Sequence, residues 1–387
     1  MLLLIDASRA NNEQKTGVEW YAFFVIEELK KIIPRDIQVI LYTRESLKGA
    51  LSNLPPNWSV KVLGWPPRRL WTQIRLSWEI CQMKKQCGSD NLALFIPAHV
   101  LPLFTPAKTF ITIHDLGGFK FPSGYSWFER WFTKFAVVFA ASRATIFTPS
   151  DFSKKEILYY LRLHGKKIAD EKIKVVPNAY NKEEYLYNLP EEKISAILTK
   201  YKIQAPYFLT IGRLEEKKNT VGLIKAFEIF KSGLERAPAN DEKNNFQLAL
   251  LGKPGFGYDK VAEALKKSAF KKDIILPGWV DQIDVPYLIA GAKAFVFPSF
   301  YEGFGIPVLE AFAVGTAVIA SFAASLPEVA GGAALLVNPN KPMEIAKAFE
   351  LVISDVELRQ KMIVAGLKRA ADFDWSKTAI RIFDEIK

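Results

Sequence analysis

The chain has 387 residues, of which 49% are hydrophobic, 13% aromatic and 24% charged. That is long enough for two α/β domains, too long for one typical core, and too apolar for a disordered acidic tail or a fibrous protein. A formal net charge of +11 favours an anionic partner, be it nucleic acid, an acidic membrane face or a phosphorylated substrate, without choosing among them.

The opening residues Met1-Leu2-Leu3-Leu4-Ile5 have no basic leader and run straight into Asp6, so they predict a buried strand and no secretory signal. Apolar runs at 2–5, 38–42, 59–63, 92–96, 109–113, 144–148 and 173–176 alternate with helical stretches, the first of them 18–32 behind Gly17. Strands alternating with helices imply parallel pairing in a doubly wound sheet. The segment from Arg68 to Trp78 interleaves Arg68, Arg69 and Arg75 with Leu70, Trp71, Ile74 and Trp78. It reads as a helix packed on its own domain with solvated arginines, or as a surface that meets lipid head groups. Cys81 and Cys87 are six residues apart, on different faces of one helix, which predicts two free thiols, no disulfide and no metal site.

A second series of strands follows at 207–211, 246–251, 273–276, 294–298, 317–320 and 333–337, again with helices between. The charged, Tyr-rich stretch 180–202 marks the boundary. The expectation is an N-terminal domain over 1–190, a C-terminal domain over 191–368, and a terminal helix in 369–387 that crosses back to the first domain. Two doubly wound domains would face a cleft, with ligand beyond the carboxyl ends of the strands. The uncharged run from Ala311 to Pro327 contains Gly315 and many small residues. It predicts a helix, a turn and a buried strand, so no transmembrane segment is expected.

Two constellations carry chemistry. Gly212-Arg213-Leu214-Glu215-Glu216-Lys217-Lys218-Asn219 follows a strand and precedes a helix. Gly212 lets the chain turn, and Arg213 and Lys218 supply cations beside a helix N-terminus that already favours anions. A diphosphate suits such a place, since Arg binds it through two parallel hydrogen bonds and Lys as a point charge. By itself the motif also reads as a solvated basic loop. Phe297-Pro298-Ser299-Phe300-Tyr301-Glu302-Gly303-Phe304-Gly305-Ile306-Pro307-Val308-Leu309-Glu310 is stronger. Gly303 and Gly305 make a tight loop, and Pro307 suits a first helical turn. That places Glu302 on the loop and Glu310 about one turn into the helix, two carboxylates for sugar and ribose hydroxyls. His114, one of three histidines, ends a strand and precedes Asp115; it reads as a structural histidine or as a group lining the cleft.

Both motifs, in this order, resemble glycosyltransferase family 4, retaining enzymes of GT-B fold, whose Glu-x7-Glu signature Glu302 and Glu310 fit. The resemblance extends over nearly the whole chain. It takes in Thr16-Gly17-Val18-Glu19-Trp20-Tyr21, Ile113-His114-Asp115-Leu116, Pro149-Ser150-Asp151-Phe152-Ser153, Val176-Pro177-Asn178 and Ser325-Leu326-Pro327-Glu328-Val329-Ala330-Gly331-Gly332. It implies an α/β fold of two Rossmann-like domains and a hexosyltransferase that needs neither metal nor cofactor. Glu310 would bind the ribose of a nucleotide-sugar, and Glu302 the hydroxyls of the transferred sugar. Arg213 and Lys218 would neutralise the departing diphosphate, while backbone from Gly303 through Phe304, Gly305 and Ile306 to Pro307 would contact sugar and phosphate. From the first domain, the Gly17 loop would approach the phosphates and His114 the sugar, as a contact and not as a general base.

The run resembles most the bacterial mannosyltransferases of surface polysaccharide assembly, so GDP-mannose is the expected donor, with UDP-sugars as the alternative. The expected acceptor is a glycan, lipid-linked or free. The resemblance places the enzyme in the cytoplasm, with an anionic membrane face as a further partner. Where relatives have Val-Pro-Asn-Gly and an acidic residue, this chain has Val176-Pro177-Asn178-Ala179-Tyr180, which puts the role of that loop toward an acceptor in question. Lys253, at another strand end, is a weaker candidate for nucleotide contact. A GT-B-like epimerase would lack the Glu pair, and a phosphorylase needs a cofactor lysine that is not identified. A basic nucleic-acid-binding protein finds no helix-turn-helix, zinc or aromatic-sheet signature, so no specific nucleic acid is expected. A Rossmann dehydrogenase lacks Gly-x-Gly-x-x-Gly after the first strand.

Overall fold

The computed structural model describes residues 1–65, 70–121, 124, 127–234 and 245–387. They form two compact units, one of residues 1–178 and 374–387 and the other of residues 179–373. Pro66 to Arg69, the basic start of the Arg68–Trp78 segment, lie outside the described residues.

The first unit is built on seven strands, β1 Leu2–Asp6, β2 Gln38–Thr43, β3 Trp58–Val62, β4 Leu92–Ile96, β5 Lys108–Thr112, β6 Thr145–Thr148 and β7 Ile173–Val175. Their order is β3-β2-β1-β4-β5-β6-β7, and every pair is parallel. β1 and β4 are buried along nearly their whole length, as helices on both faces of a parallel sheet require. Trp71 and Leu76 belong to this core, and the Trp71 indole N–H donates to Leu63 O at 2.8 Å, whereas Ile74 and Trp78 are exposed. The interleaved segment is therefore half core and half surface. Cys81 and Cys87 are free thiols on the helix Ser77–Cys87.

The helix Trp375–Ile386 also belongs to this unit and packs on the helix Gly17–Ile32. The Trp375 ring stacks on Phe24 at 5.4 Å and meets Tyr21 edge-on at 5.9 Å. The Thr378 hydroxyl donates to Pro177 O at 2.7 Å, and Lys174 pairs with Glu385 at 2.9 Å.

The second unit has six strands, β8 Tyr207–Ile211, β9 Gln247–Leu251, β10 Ile274–Gly278, β11 Ala294–Phe297, β12 Val318–Ser321 and β13 Leu335–Val337. They run parallel in the order β10-β9-β8-β11-β12-β13. The strand order reverses between β1 and β4 in the first sheet and between β8 and β11 in the second, and such a switch point opens a crevice at the carboxyl ends of the strands. One aromatic cluster dominates this core: Phe208 lies on Phe349 at 4.1 Å and meets Phe230 edge-on at 5.4 Å. Each buried ring contributes about 1.5–3 kcal/mol of transfer free energy. The uncharged run 311–327 becomes the end of the helix Ile306–Ala313, β12 and the start of the helix Leu326–Ala330. Among the described residues no helix is long and apolar enough to cross a membrane.

The stretch 179–190 lies in the second unit, where Tyr185 is buried. The unit therefore begins earlier than residue 191, because a tyrosine inside a charged stretch is drawn into its core.

Candidate functional site

In the second unit, three strands end on glycines. Gly212 has φ +147° and its N–H donates to Leu251 O at 2.9 Å, while Gly252 has φ +143° and donates to Gly278 O at 2.9 Å. A Cβ on Gly252 would stand 1.9 Å from Gly212 O. No side chain fits there, so β8 and β9 turn outward in contact and set the 212–219 loop at the crevice.

Beyond Gly212 the chain makes a short turn, Glu216–Lys218, and then Asn219 takes the left-handed conformation at φ +57°. The Asn219 side chain is buried and donates to Pro298 O at 3.2 Å and Pro339 O at 2.6 Å. The Phe300 N–H donates to Lys217 O at 2.9 Å. These bonds fasten the loop after β8 to the loop after β11, on the two sides of the switch point.

The outcome is a direct contact between two of the residues singled out above. Lys218 Nζ lies 2.5 Å from Glu302 Oε1 and 4.8 Å from the centre of the Phe297 ring, and both side chains are mostly buried. Arg213 differs: its side chain is 70% exposed and its Nε is 4.0 Å from Glu215. One cation of the expected pair is thus engaged by a carboxylate, and the other faces water. Lys253 stands over the Trp279 ring at 4.5 Å.

The loop that carries Glu302 is clamped from behind. The Ser325 hydroxyl is 2.9 Å from Glu302 O and 2.8 Å from Phe304 O, and the Ser321 hydroxyl donates to Ser299 O at 2.5 Å. Gly305 caps the helix Ile306–Ala313 at φ +118°, and a Cβ there would stand 2.7 Å from Leu326. Phe304 is buried with its ring against Phe373 at 5.7 Å, so only its backbone is offered. Gly303 and Ile306 flank it at the mouth of that helix, where the dipole favours an anion.

Glu310 lies one turn further into the same helix. Burial pushes its pKa up to about 7; the Tyr185 hydroxyl pulls the other way, and the Glu184 carboxylate adds to the rise. Tyr185 also accepts a hydrogen bond from Gln282 Nε2 at 3.0 Å. Neither Tyr185 nor Gln282 carries a motif around it, and nothing in the linear sequence pointed to them. Asn219 and Ser325 sat inside the quoted motifs, but their partners lie too far along the chain to be read.

In the first unit, Gly17 opens the helix Gly17–Ile32, behind a Thr16–Glu19 capping box. Space around Gly17 is open, with nothing within 4 Å of a Cβ placed there. The Thr16 N–H donates to Glu19 Oε2 at 3.1 Å, and Arg9 pairs with the buried Glu19 at 3.3 Å.

His114 follows β5, and its buried ring lies edge-on to Tyr21 at 4.6 Å and to His99 at 5.1 Å. Burial, aided by His99, pushes its pKa down to about 3, against the opposing effects of Pro97 O and Asp115. It is therefore neutral at pH 7, a hydrogen-bonding group and not a proton acceptor poised near neutrality. Beyond Asp115 opens a groove of about 510 Å³ whose walls include Phe119, Trp131, Tyr159 and Leu163, with Lys120 and Lys134 beside them.

The family model for glycosyl transferases group 1 matches residues 192–369. The O-antigen chain mannosyltransferase B of Escherichia coli is 30% identical over 278 residues, 71% of this chain and 69% of that protein. The serotype-specific mannosyltransferase WbdA of Escherichia coli is 27% identical over 75% of this chain, which spans only 34% of that longer protein. Among solved structures, Anabaena HepE in complex with UDP and glucose superposes with a TM-score of 0.73 at 16% identity, over 99% of this chain and 98% of that one. This likeness establishes the two-domain GT-B fold.

Proposed function

The chain belongs to the group 1 glycosyltransferases, and within that family we propose that it transfers mannose from GDP-mannose to a lipid-linked glycan with retention at the anomeric carbon. The observation that carries this reading is the set of groups fastened at the carboxyl ends of β8 and β11, namely Arg213, the Lys218–Glu302 pair and Glu310. Exposed Arg213 is suited to a diphosphate oxygen pair, and Lys218 to a second phosphate oxygen. As the sugar–phosphate bond breaks, negative charge grows on the leaving diphosphate. These cations, with the helix mouth at Gly303 to Ile306, then stabilise the transition state more than the ground state. Glu302 accepts from hydroxyls of the sugar, and Glu310 from the ribose. The acceptor attacks from the same face, and its proton passes to the departing phosphate oxygen, so no protein base is needed. For the first unit the reading gives the Gly17 turn to phosphate, since nothing crowds it, and neutral His114 to a sugar hydroxyl.

The choice of mannose follows the printed activities of the Escherichia coli relatives. A UDP-sugar is the second reading, favoured by the UDP and glucose bound in HepE. For the acceptor, the groove beyond Leu116 offers aromatic faces and Lys134, with Lys120 paired to Glu156 at 3.2 Å on the same wall, which suits an amphiphile with a phosphate. Leu103 and Phe104 are exposed, and the Leu103 N–H bonds the Ser77 hydroxyl at 2.7 Å, next to exposed Trp78. This apolar edge supports contact with a membrane face, and the net charge of +11 an anionic one; sedimentation with neutral and with anionic vesicles tests it, and equal binding to both would sink the electrostatic part.

The donor assignment is tested by thermal shift with GDP-mannose, UDP-glucose and an ADP-sugar. Ligand at 100 times its dissociation constant adds about 2.7 kcal/mol. Stabilisation by GDP-mannose alone is the expected result, UDP-glucose alone would shift the reading to the second donor, and no response to any of them would sink it.

A further inference from the structure

Arg369 lies in the last turn of the helix Val356–Ala371, and its guanidinium engages all three nitrogens. Nε donates to Val329 O at 3.0 Å, Nη2 to Glu328 O at 2.8 Å, and Nη1 pairs with Asp372 at 3.0 Å. The two carbonyls are among the last of the helix Leu326–Ala330, where a helix has no amide of its own left for them. Gly331 ends that helix at φ +55°, and a Cβ there would stand 2.6 Å from Arg369 Nε. Glycine thus provides both the turn and the room for the guanidinium. The same guanidinium covers the Phe373 ring at 4.6 Å, and Phe373 meets Phe304 edge-on at 5.7 Å. The helix of Arg369 also lies close against the helix Ile306–Ala313, since a Cβ on Gly366 would stand 2.6 Å from the Phe312 ring.

The short helix has a second end. Ser325 precedes it, and the Ser325 hydroxyl shares its one proton between Glu302 O at 2.9 Å and Phe304 O at 2.8 Å. The Val329 N–H donates back to Ser325 O at 3.0 Å, so the carbonyl that Arg369 holds is one helical turn from the clamp on the loop. We infer that Arg369 is a positioning residue for the loop 302–305, which it holds by two routes. One runs through Glu328 and Val329 to Ser325 and the loop backbone; the other runs through Phe373 to the Phe304 ring. This inference rests on the reading of that loop as the seat of the donor's sugar and phosphate. A loop fixed beforehand has less freedom to lose when the donor binds. Lysine does not replace arginine here. An ammonium is a point charge, whereas the planar fork meets two carbonyls and a carboxylate while its face covers an aromatic ring. Arg359, on the same helix, supplies the comparison. It donates to Val352 O at 2.8 Å and Ile353 O at 3.4 Å, at the end of a different helix, Pro342–Ser354.

The test compares Arg369→Lys with Arg359→Lys in the full chain, since each loses the same kind of bond to a helix end. Without ligand, hydrogen exchange read by mass spectrometry should show the amides of 302–305 exchanging about three- to tenfold faster in Arg369→Lys. Ser325→Ala should do the same, and Arg359→Lys should leave them unchanged. With donor, the KM for nucleotide-sugar should rise by about three- to tenfold in Arg369→Lys, with the KM for acceptor kept. Placed on Ser325→Ala, the same substitution should raise the donor KM less than it does alone, because both act on one path. Should Arg369→Lys fail to fold, Phe373→Leu decides, since it stays apolar and removes the ring that joins Arg369 to Phe304. Unchanged exchange at 302–305 in Arg369→Lys, or in Phe373→Leu standing in for it, overturns the inference. An equal rise in Arg359→Lys or an unmoved donor KM overturns it as well. If the unaltered protein turns over no nucleotide-sugar, the reading of the loop as the donor's seat fails, and the exchange still decides whether Arg369 holds it.

Discussion

Lys218 Nζ and Glu302 Oε1 stand 2.5 Å apart across 84 residues of sequence. The contact joins the cation proposed for a phosphate to the carboxylate proposed for a sugar. Each therefore fixes the position of the other before any donor arrives.

Removing either partner leaves the other mostly buried and unpaired. Lys218→Met and Glu302→Gln should each lower kcat by about 10²–10³, and each should cost about 1–3 kcal/mol of stability. The double variant should cost less than the sum, with a coupling above about 0.5 kcal/mol. Urea unfolding of the four proteins decides it, and strict additivity would show that the contact is incidental.

Glu310 gives a prediction with a sign. Its folded pKa of about 7 lies above the ordinary value of 4.5, so between those pH values the folded state keeps a proton that the unfolded state has lost. The stability from this group is full below pH 4.5 and falls as pH rises through 7. Glu310→Gln cannot ionise, so at pH 8 it should melt higher, by roughly 2–4 °C for each kcal/mol recovered, while near pH 4.5 the difference should vanish. Donor affinity should fall at least about tenfold in the same variant. A variant no more stable than the parent at pH 8 would contradict the burial of an ionisable Glu310.

His114 predicts the opposite slope. Its pKa of about 3 lies below the ordinary 6.5, so the unfolded state takes up a proton that the folded state refuses. Stability is full above pH 6.5 and is lost as pH falls from there toward 3. His114→Asn should flatten part of this acid limb in melting experiments, a limb to which His99 also contributes because burial lowers its pKa. His114→Ala should cost about ten- to a hundredfold in kcat without a new basic limb in the pH–rate profile.

Ser325 touches no proposed substrate atom, yet its hydroxyl shares its one proton between the carbonyls of Glu302 and Phe304. Ser325→Ala should cost about 1–3 kcal/mol and raise the KM for donor, because the loop loses its clamp. An unchanged KM would mean that the flanking glycines alone hold the loop.

Trp131 separates acceptor from donor. It is 53% exposed on the wall of the groove beside Asp115, so Trp131→Ala should leave the fold and nucleotide affinity as they are. Its KM for a lipid-linked glycan should rise by about tenfold, the share of one buried aromatic contact. Equal KM values would move the acceptor elsewhere.

How much of this was legible in the sequence follows from the range of the interactions. Gly212, Gly303, Gly305 and Pro307 punctuate strand ends, so the loops after β8 and β11 could be placed from local rules. The alternation of strands and helices gave both sheets, because β1, β4, β9 and β11 are apolar runs of the length a buried parallel strand needs. Lys218 and Glu302 could each be singled out, but not their contact. Asn219 reaching Pro339, and Ser325 reaching Phe304, were hidden for the same reason. Tyr185 was hidden more deeply. Lys182 and Glu183 before it are charged and exposed, and Leu186 and Tyr187 after it are exposed, so local composition argued for a linker, and only tertiary packing draws its ring inside.

The helix Trp375–Ile386 completes a unit that begins at residue 1, with residues 179–373 made in between. A ribosome therefore delivers the whole second unit before the first has its covering helix. During that interval Tyr21 and Phe24 wait without the Trp375 ring, and the nascent first unit carries an aromatic face toward solvent or a chaperone. Order of synthesis and order of completion are thus reversed in this chain. Truncation at residue 373 would do more than shorten the protein, since it would uncover Tyr21 and Phe24.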